Sequence, residues 1–317
     1  MKMVLRGPLD KEVALRIAPD LEIVQAENEE ALLAASADAE IAVMMNMGWL
    51  GGGFPAYLKR APHLRWFHCS SAGVDPLLCP EFLSSDVVMT CAKGSPIGPL
   101  LAEHAFALIL SLTRGIAANV RLNRWDGGSV GAQSAYELGG KTLGIVGYGG
   151  VGTALAQRAR AFNMDVLAVR RHPQPHGETT QWGMDRFDEM LKRSDIVVVT
   201  VPHTPETEGL FDAVAFSTMK ESALLITVGR GQTVQTDALV NALNEGSIGG
   251  AGLDVVDPEP LPDDHPLWSC PNAIITPHMA GNAPERAGRN QELVLENLRR
   301  YVAGQPLLST VDKTLGY

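Results

Sequence analysis

Residues 143–152 read Leu-Gly-Ile-Val-Gly-Tyr-Gly-Gly-Val-Gly, a short apolar run that delivers the chain into Gly147, Gly149 and Gly152. That spacing is the one a dinucleotide-binding loop requires. The first glycine makes a tight turn, the second lets backbone approach a pyrophosphate, and the third lets the following helix pack closely on the strand. Free N–H groups at the helix start, with the helix dipole, then hold the anion. Three glycines alone also fit an ordinary loop, but the flanks favour the first reading. Thr153 to Phe162 is alanine-rich and helical in pattern, and Val166 to Val169 reads as a second strand, which completes a βαβ unit.

The end of that second strand carries a preference. A site that selects NAD places a carboxylate about 20 residues beyond the glycines, where it binds the ribose hydroxyls. Here the position holds Arg170 and Arg171, followed by His172. Guanidinium groups cannot accept hydrogen bonds from a diol, but they pair well with a phosphate dianion. The expected cofactor is therefore NADP(H), with NAD(H) second. The plain alternative is a solvated arginine pair at a strand end.

At 317 residues the chain exceeds the ~250 to 300 at which a single core usually splits, so two domains are expected. A net charge of -10 argues against a nucleic-acid or anionic-membrane surface. Cys69, Cys79, Cys91 and Cys270 show neither C-x-x-C nor metal-ligand spacing, so they read as reduced residues of a cytoplasmic protein with no metal. No apolar stretch reaches the ~18 residues of a membrane span.

Ahead of the glycines the chain has its own α/β rhythm. Strands are expected at Met3 to Leu5, Leu21 to Val24, Ile41 to Met45, Arg65 to His68 and Val87 to Thr90. Helices are expected at Asp10 to Ile17, Glu27 to Ala35 and Pro55 to Arg60. Residues 100–120 read as one strongly apolar helix, buried between domains or subunits. Beyond the βαβ unit, Asp195 to Val201, Ala223 to Thr227, Gly250 to Val255 and Ala273 to Thr276 continue a doubly wound sheet, and Glu285 to Val302 is a last helix. The fold class is α/β, with two open parallel sheets flanked by helices: a Rossmann-type cofactor domain, 99–284, inserted in a flavodoxin-like substrate domain, 1–98 plus 285–317. The glycine-dense loop from Asn46 to Phe54 suits either a ligand cover or a flexible connector.

In such sheets the polar residues just past each strand converge on one crevice. Arg230, Glu259 and His278 occupy three successive strand ends. Singly, each has an ordinary reading as a loop anchor, a solvated carboxylate or a capping imidazole.

Together with their surroundings they resemble the signatures of the D-2-hydroxyacid dehydrogenases, with glyoxylate/hydroxypyruvate reductases the branch most alike. The resemblance is carried by Val228-Gly229-Arg230-Gly231, the segment Asp254 to Pro260 and Thr276-Pro277-His278. It extends to Ser71-Ala72-Gly73-Val74-Asp75, Leu101-Ala102-Glu103-His104-Ala105, Glu137 to Leu143, and Val201-Pro202-His203-Thr204-Pro205-Glu206-Thr207. It implies a catalytic trio: Arg230 grips the carboxylate and polarises the keto oxygen, His278 is the general acid, and Glu259 orients and charges the imidazole. Ala72 and Gly73 would hold the substrate carboxylate with their backbone N–H groups. Asp254 would receive the nicotinamide carboxamide. Further cofactor contacts are implied for Gly150, Val151, Pro202, Thr207, Val228, Gly229 and Gly281. His203 stands where relatives carry an aliphatic residue, which suits either a place near the adenosine phosphate or an exposed loop. Glu259, where formate dehydrogenases have glutamine, argues against that branch. Met47, Trp49 and Leu50 would shape the substrate pocket.

The implied function is NADP(H)-dependent reduction of a 2-oxo acid to the D-hydroxy acid, with glyoxylate or hydroxypyruvate as first substrates. Alternatives of the same fold are a dinucleotide-sensing interaction protein and a dehydrogenase for a bulky 2-oxo acid or an oxyanion. A homodimer is implied, with 100–120 and Trp125 to Tyr136 as its contact.

Overall fold

The computed structural model describes the chain apart from residues 46–52, 95, 126–134 and 175–178. It divides into two compact units, Met1–Ile97 with Ala283–Tyr317, and Gly98–Asn282.

In the first unit β1 (Lys2–Arg6), α1 (Lys11–Ile17), β2 (Glu22–Gln25), α2 (Glu29–Ala35), β3 (Ile41–Met44), α3 (Phe54–Arg60), β4 (Trp66–Cys69), α4 (Pro80–Leu83) and β5 (Val88–Cys91) follow in turn. The sheet order is β2-β1-β3-β4-β5 with every pair parallel, a flavodoxin-like arrangement. The central strands β3 and β4 are buried at all four positions, as expected of strands covered on both faces. Helix starts follow side-chain caps: Asp10 accepts from the Val13 N–H and Asn28 from the Ala31 N–H. Asn28 is why α2 begins at Glu29, two residues later than expected. The C-terminal helix Pro284–Val302 belongs to this unit and buries Val294, Leu295 and Leu298 against Met3, Leu5 and Trp66.

The second unit holds α5 (Gly98–Thr113), α6 (Ile116–Leu122), β6 (Thr142–Val146), α7 (Gly150–Ala161), β7 (Asp165–Val169), β8 (Thr180–Trp182), α8 (Phe187–Arg193), β9 (Ile196–Val199), α9 (Ala213–Thr218), β10 (Leu224–Thr227), α10 (Thr236–Glu245), β11 (Gly250–Leu253) and β12 (Ala273–Ile275). Its parallel sheet runs β12-β11-β10-β9-β6-β7-β8. The first strand of the unit, β6, therefore pairs with both β7 and β9, and the order of strands reverses there. A crevice outside the carboxyl ends of strands at such a switch point is where doubly wound sheets bind ligands.

Two expectations fail locally. The single helix over 100–120 is two, bent by 67°, because Gly115 takes the left-handed conformation (φ 65°) and its N–H caps Leu112. The edge strand β8 was not foreseen: three residues are too short to show a period. α5 lies against β11, where a Cβ on Gly252 would come within 2.9 Å of Leu108, and its start meets that of α7, where a Cβ on Gly98 would lie 2.9 Å from the Gly150 oxygen. Among the described residues no single helix is long and apolar enough to cross a membrane.

Candidate active site

The glycine loop leaves the sheet at the switch point. Gly147 has φ 96°, and a Cβ there would press on Thr200 and Val201 at 2.9 Å; at Gly152 it would lie 2.5 Å from the Gly147 oxygen. Around Gly149 there is nothing within 4 Å of that position. The tight turn thus falls on Gly147, the open space on Gly149 and the close packing on Gly152. Two side chains that the sequence did not single out brace the loop. The Thr200 hydroxyl donates to the Gly147 oxygen at 2.8 Å, and buried Tyr148 donates to Thr179 at 2.8 Å, where Arg160 also donates. Neither was legible, because each pairs residues more than 30 apart.

β7 ends beside that loop. The Gly147 N–H donates to the Val169 oxygen at 2.9 Å, so Arg170 begins one residue from the turn. Arg171 reaches Glu206 at 3.2 Å. A hydroxyl hydrogen bond from Thr204, then backbone bonding, and to a lesser degree Arg171, hold the Glu206 carboxyl below its usual range. The loop after β9 is tied internally: the Thr207 hydroxyl donates to the Pro202 oxygen at 2.7 Å and accepts from the Thr204 N–H at 2.8 Å. Thr207 therefore shapes the loop on which Pro202 and His203 sit.

β10, β11 and β12 are neighbours, and the chain leaves their carboxyl ends into Arg230, Glu259 and His278. Glycine draws these loops together: a Cβ on Gly231 would collide with the Val256 carbonyl, and one on Gly229 would fall 2.7 Å from the Val201 oxygen. Val228 is buried beneath them. Arg230 donates from Nη1 to the Gly229 oxygen at 2.7 Å, and Thr233 anchors its carbonyl. Nδ1 of His278 lies 2.6 Å from Oε1 of Glu259, with both side chains about half exposed. His278 has φ 48°, a conformation that non-glycine residues keep only where the surroundings enforce it.

Asp254 turns inward. Its side chain is 1% exposed. Oδ1 accepts from the Thr276 hydroxyl at 2.6 Å and the Met279 N–H at 2.9 Å, and Oδ2 accepts from the Ala280 N–H at 2.9 Å. Burial alone would raise the carboxyl, but hydrogen bonds from His104, Thr276 and these amides bring it down to about 2. These bonds make Asp254 a carboxylate that holds the loop. Gly281 closes that loop, with the Asn282 N–H on the Met279 oxygen.

In the first unit Ala72 and Gly73 follow β4, and no acceptor among the described residues pairs with their N–H groups. Arg286 anchors this loop by donating to the Ser70 oxygen at 2.7 Å. Met47, Trp49, Leu50 and most of the segment from Trp125 to Tyr136 lie outside the described residues. No cluster of metal-ligating side chains occurs among the described ones.

The model of the D-isomer specific 2-hydroxyacid dehydrogenase NAD binding domain matches residues 106–280, over half of the chain. Glyoxylate reductase of Pyrococcus furiosus is 35% identical over 263 residues, which span 80% of this chain and 78% of that protein. Glyoxylate/hydroxypyruvate reductase B of Escherichia fergusonii is 37% identical over 250 residues, spanning 77% and 76%. The crystal structure of a D-isomer specific 2-hydroxyacid dehydrogenase from Xanthobacter autotrophicus, in complex with NADPH and MES, aligns with TM-score 0.82 at 28% identity over 100% of this chain and 99% of that one. The protein belongs to the D-isomer specific 2-hydroxyacid dehydrogenase family, NAD(P)-dependent oxidoreductases that act on a CH–OH group.

Proposed function

We propose that the protein is an NADP(H)-dependent 2-oxoacid reductase yielding the D-hydroxy acid, with glyoxylate or hydroxypyruvate as substrate. The observation that carries this reading is the His278–Glu259 pair at 2.6 Å, next in the sheet to the strand that ends in Arg230. The names of the Pyrococcus and Escherichia relatives support the substrate class.

The glycine loop fits a nicotinamide dinucleotide: the space beside Gly149 is open, and α7 begins there with its N–H groups unspent. Gly147, Gly149, Gly150, Val151 and Gly152 would hold the pyrophosphate, with Pro202, Val228, Gly229 and Gly281 bordering the rest. When bound, the cofactor supplies the hydride. Arg170 and Arg171 favour the 2′-phosphate form, and the NADPH in the Xanthobacter relative agrees.

The chain's own residues do the remainder. Arg230 binds the 2-oxo acid's carboxylate with a planar fork that a lysine cannot supply, and it polarises the keto oxygen as negative charge grows there. Glu259 accepts from Nδ1 of His278, leaving Nε2 to give its proton to the forming alkoxide and to recover it in oxidation. The open N–H groups of Ala72 and Gly73 suit the substrate carboxylate. On this reading the unit Gly98–Asn282 is the cofactor domain and the other the substrate domain. A cytoplasmic homodimer goes with it. NADPH absorbance across a panel of 2-oxo acids tests the proposal: oxidation with glyoxylate or hydroxypyruvate supports it, and none with any acid overturns it.

A further inference from the structure

We propose that His104, on α5, is a positioning residue for the proton-donor loop: its Nε2 hydrogen locks the Thr276–Asp254 pair on which the backbone of residues 278–280 hangs. The inference rests on His278 being the proton donor.

The direction of each bond follows from chemistry. Thr276 lies 2.6 Å from Oδ1 of Asp254, and a carboxylate can only accept, so the single hydroxyl hydrogen is spent there. His104 Nε2 lies 2.9 Å from the same hydroxyl oxygen and 3.3 Å from Oδ1 of Asp254, so it must carry a hydrogen and donate it. Asp254 then collects the Met279 and Ala280 amides on its side chain and the His278 amide, at 2.8 Å, on its carbonyl. Pro277 has no N–H. The Thr276 N–H donates to the Leu253 oxygen, while the Thr276 hydroxyl and the backbone amides of residues 278–280 all reach Asp254, and His104 braces that pair from α5. What the arrangement fixes is the left-handed backbone at His278, hence where the imidazole points. α5 is well suited to supply the lock, being packed directly on β11, the strand that leads into Asp254.

Removing the Nε2 donor frees Thr276 to rotate and leaves a buried carboxylate short of one partner, so the loop loosens without loss of any group that touches substrate. The test compares His104→Leu with His104→Gln, whose amide can reach as Nε2 does. We expect His104→Leu to lower kcat for 2-oxo acid reduction roughly 10- to 100-fold, the loss typical of removing an orienting partner. The KM and the Kd for NADPH should move by less than about 3-fold, and the Met279 and Ala280 amides should exchange about 10-fold faster. His104→Gln should recover most of kcat. Wild-type kcat and amide protection in His104→Leu would overturn the proposal, as would equal losses in both variants accompanied by equal falls in Tm. If the wild-type protein oxidises NADPH with no 2-oxo acid, the proposed function fails instead, and the amide exchange rates still decide the role of His104.

Discussion

Nδ1 of His278 and Oε1 of Glu259 stand 2.6 Å apart across the ends of two adjacent strands. The contact spends one ring nitrogen on the carboxylate and leaves Nε2 as the nitrogen that can meet a substrate. It gives the imidazole both an orientation and a neighbouring negative charge, and the two contributions are separable.

Changing His278 to Gln removes the proton donor, and kcat should fall roughly 10²- to 10⁴-fold with the Kd for NADPH unchanged. Changing Glu259 to Gln keeps an acceptor for Nδ1 but removes the charge. An intermediate loss, about 10- to 100-fold, is expected in reduction. If steady-state rates of Glu259→Gln equal those of the wild type, orientation alone is the contribution of Glu259.

Arg171 already bonds to Glu206 at 3.2 Å, so an incoming phosphate competes with a carboxylate for it. Replacing Arg170 and Arg171 together by Ser should weaken NADPH about 10- to 100-fold, the worth of charge-assisted bonds to a phosphate, and NADH by no more than about 2-fold. Glu206→Gln should tighten NADPH by a few-fold. Isothermal titration with both nucleotides decides, and equal losses for NADPH and NADH would remove the case for a 2′-phosphate site.

What the sequence made legible follows from where the information is local. Gly147, Gly149 and Gly152 report a backbone requirement within ten residues, and the alternation of apolar runs with helical stretches gives away both parallel sheets. The break at Gly115 was hidden because one glycine in an apolar stretch resembles a tolerated substitution until its φ is known. The loop-holding bonds of Asp254 were not legible because burial and hydrogen-bond partners are tertiary facts: its donors come from residues 22 to 26 positions away and from a helix some 150 residues earlier. The contacts of His104 and Thr200 stayed out of view for the same reason.

Gly149 and Gly152 offer a contrast between binding and folding. A methyl on Gly152 would sit 2.5 Å from the Gly147 oxygen, whereas one on Gly149 meets nothing within 4 Å. Gly152→Ala should destabilise the protein by about 1 to 3 kcal/mol through forced backbone movement. Gly149→Ala should leave Tm unchanged, yet raise the Kd for NADPH and NADH alike more than about 10-fold, because it fills the space a pyrophosphate needs. Thermal unfolding and titration of both variants test this. Unaltered nucleotide binding in Gly149→Ala would show that the pyrophosphate lies elsewhere.

His68 links stability to pH in the first unit. It is wholly buried on β4, with Nδ1 2.8 Å from the Thr90 hydroxyl and Nε2 3.1 Å from Oδ1 of Asn290. The Trp66 indole N–H donates to the same Thr90 oxygen, so the Thr90 hydrogen points to Nδ1 and the neutral ring donates from Nε2. Burial pushes the imidazole down to about 4, against a smaller upward pull from Asn290. An unfolded chain, with its histidine near 6.5, takes up a proton as pH falls through that value, while the folded chain does not until about 4. Stability should therefore be lost between pH 6.5 and 4, by roughly 2 to 3 kcal/mol at pH 4.5, with little further loss from this group below 4. His68→Gln retains an acceptor for Thr90 and a donor for Asn290 but does not titrate. Urea unfolding at pH 7 and pH 4.5 should show the wild type losing roughly 2 to 3 kcal/mol more than the variant; equal losses in the two proteins would mean that His68 is not the proton-linked group.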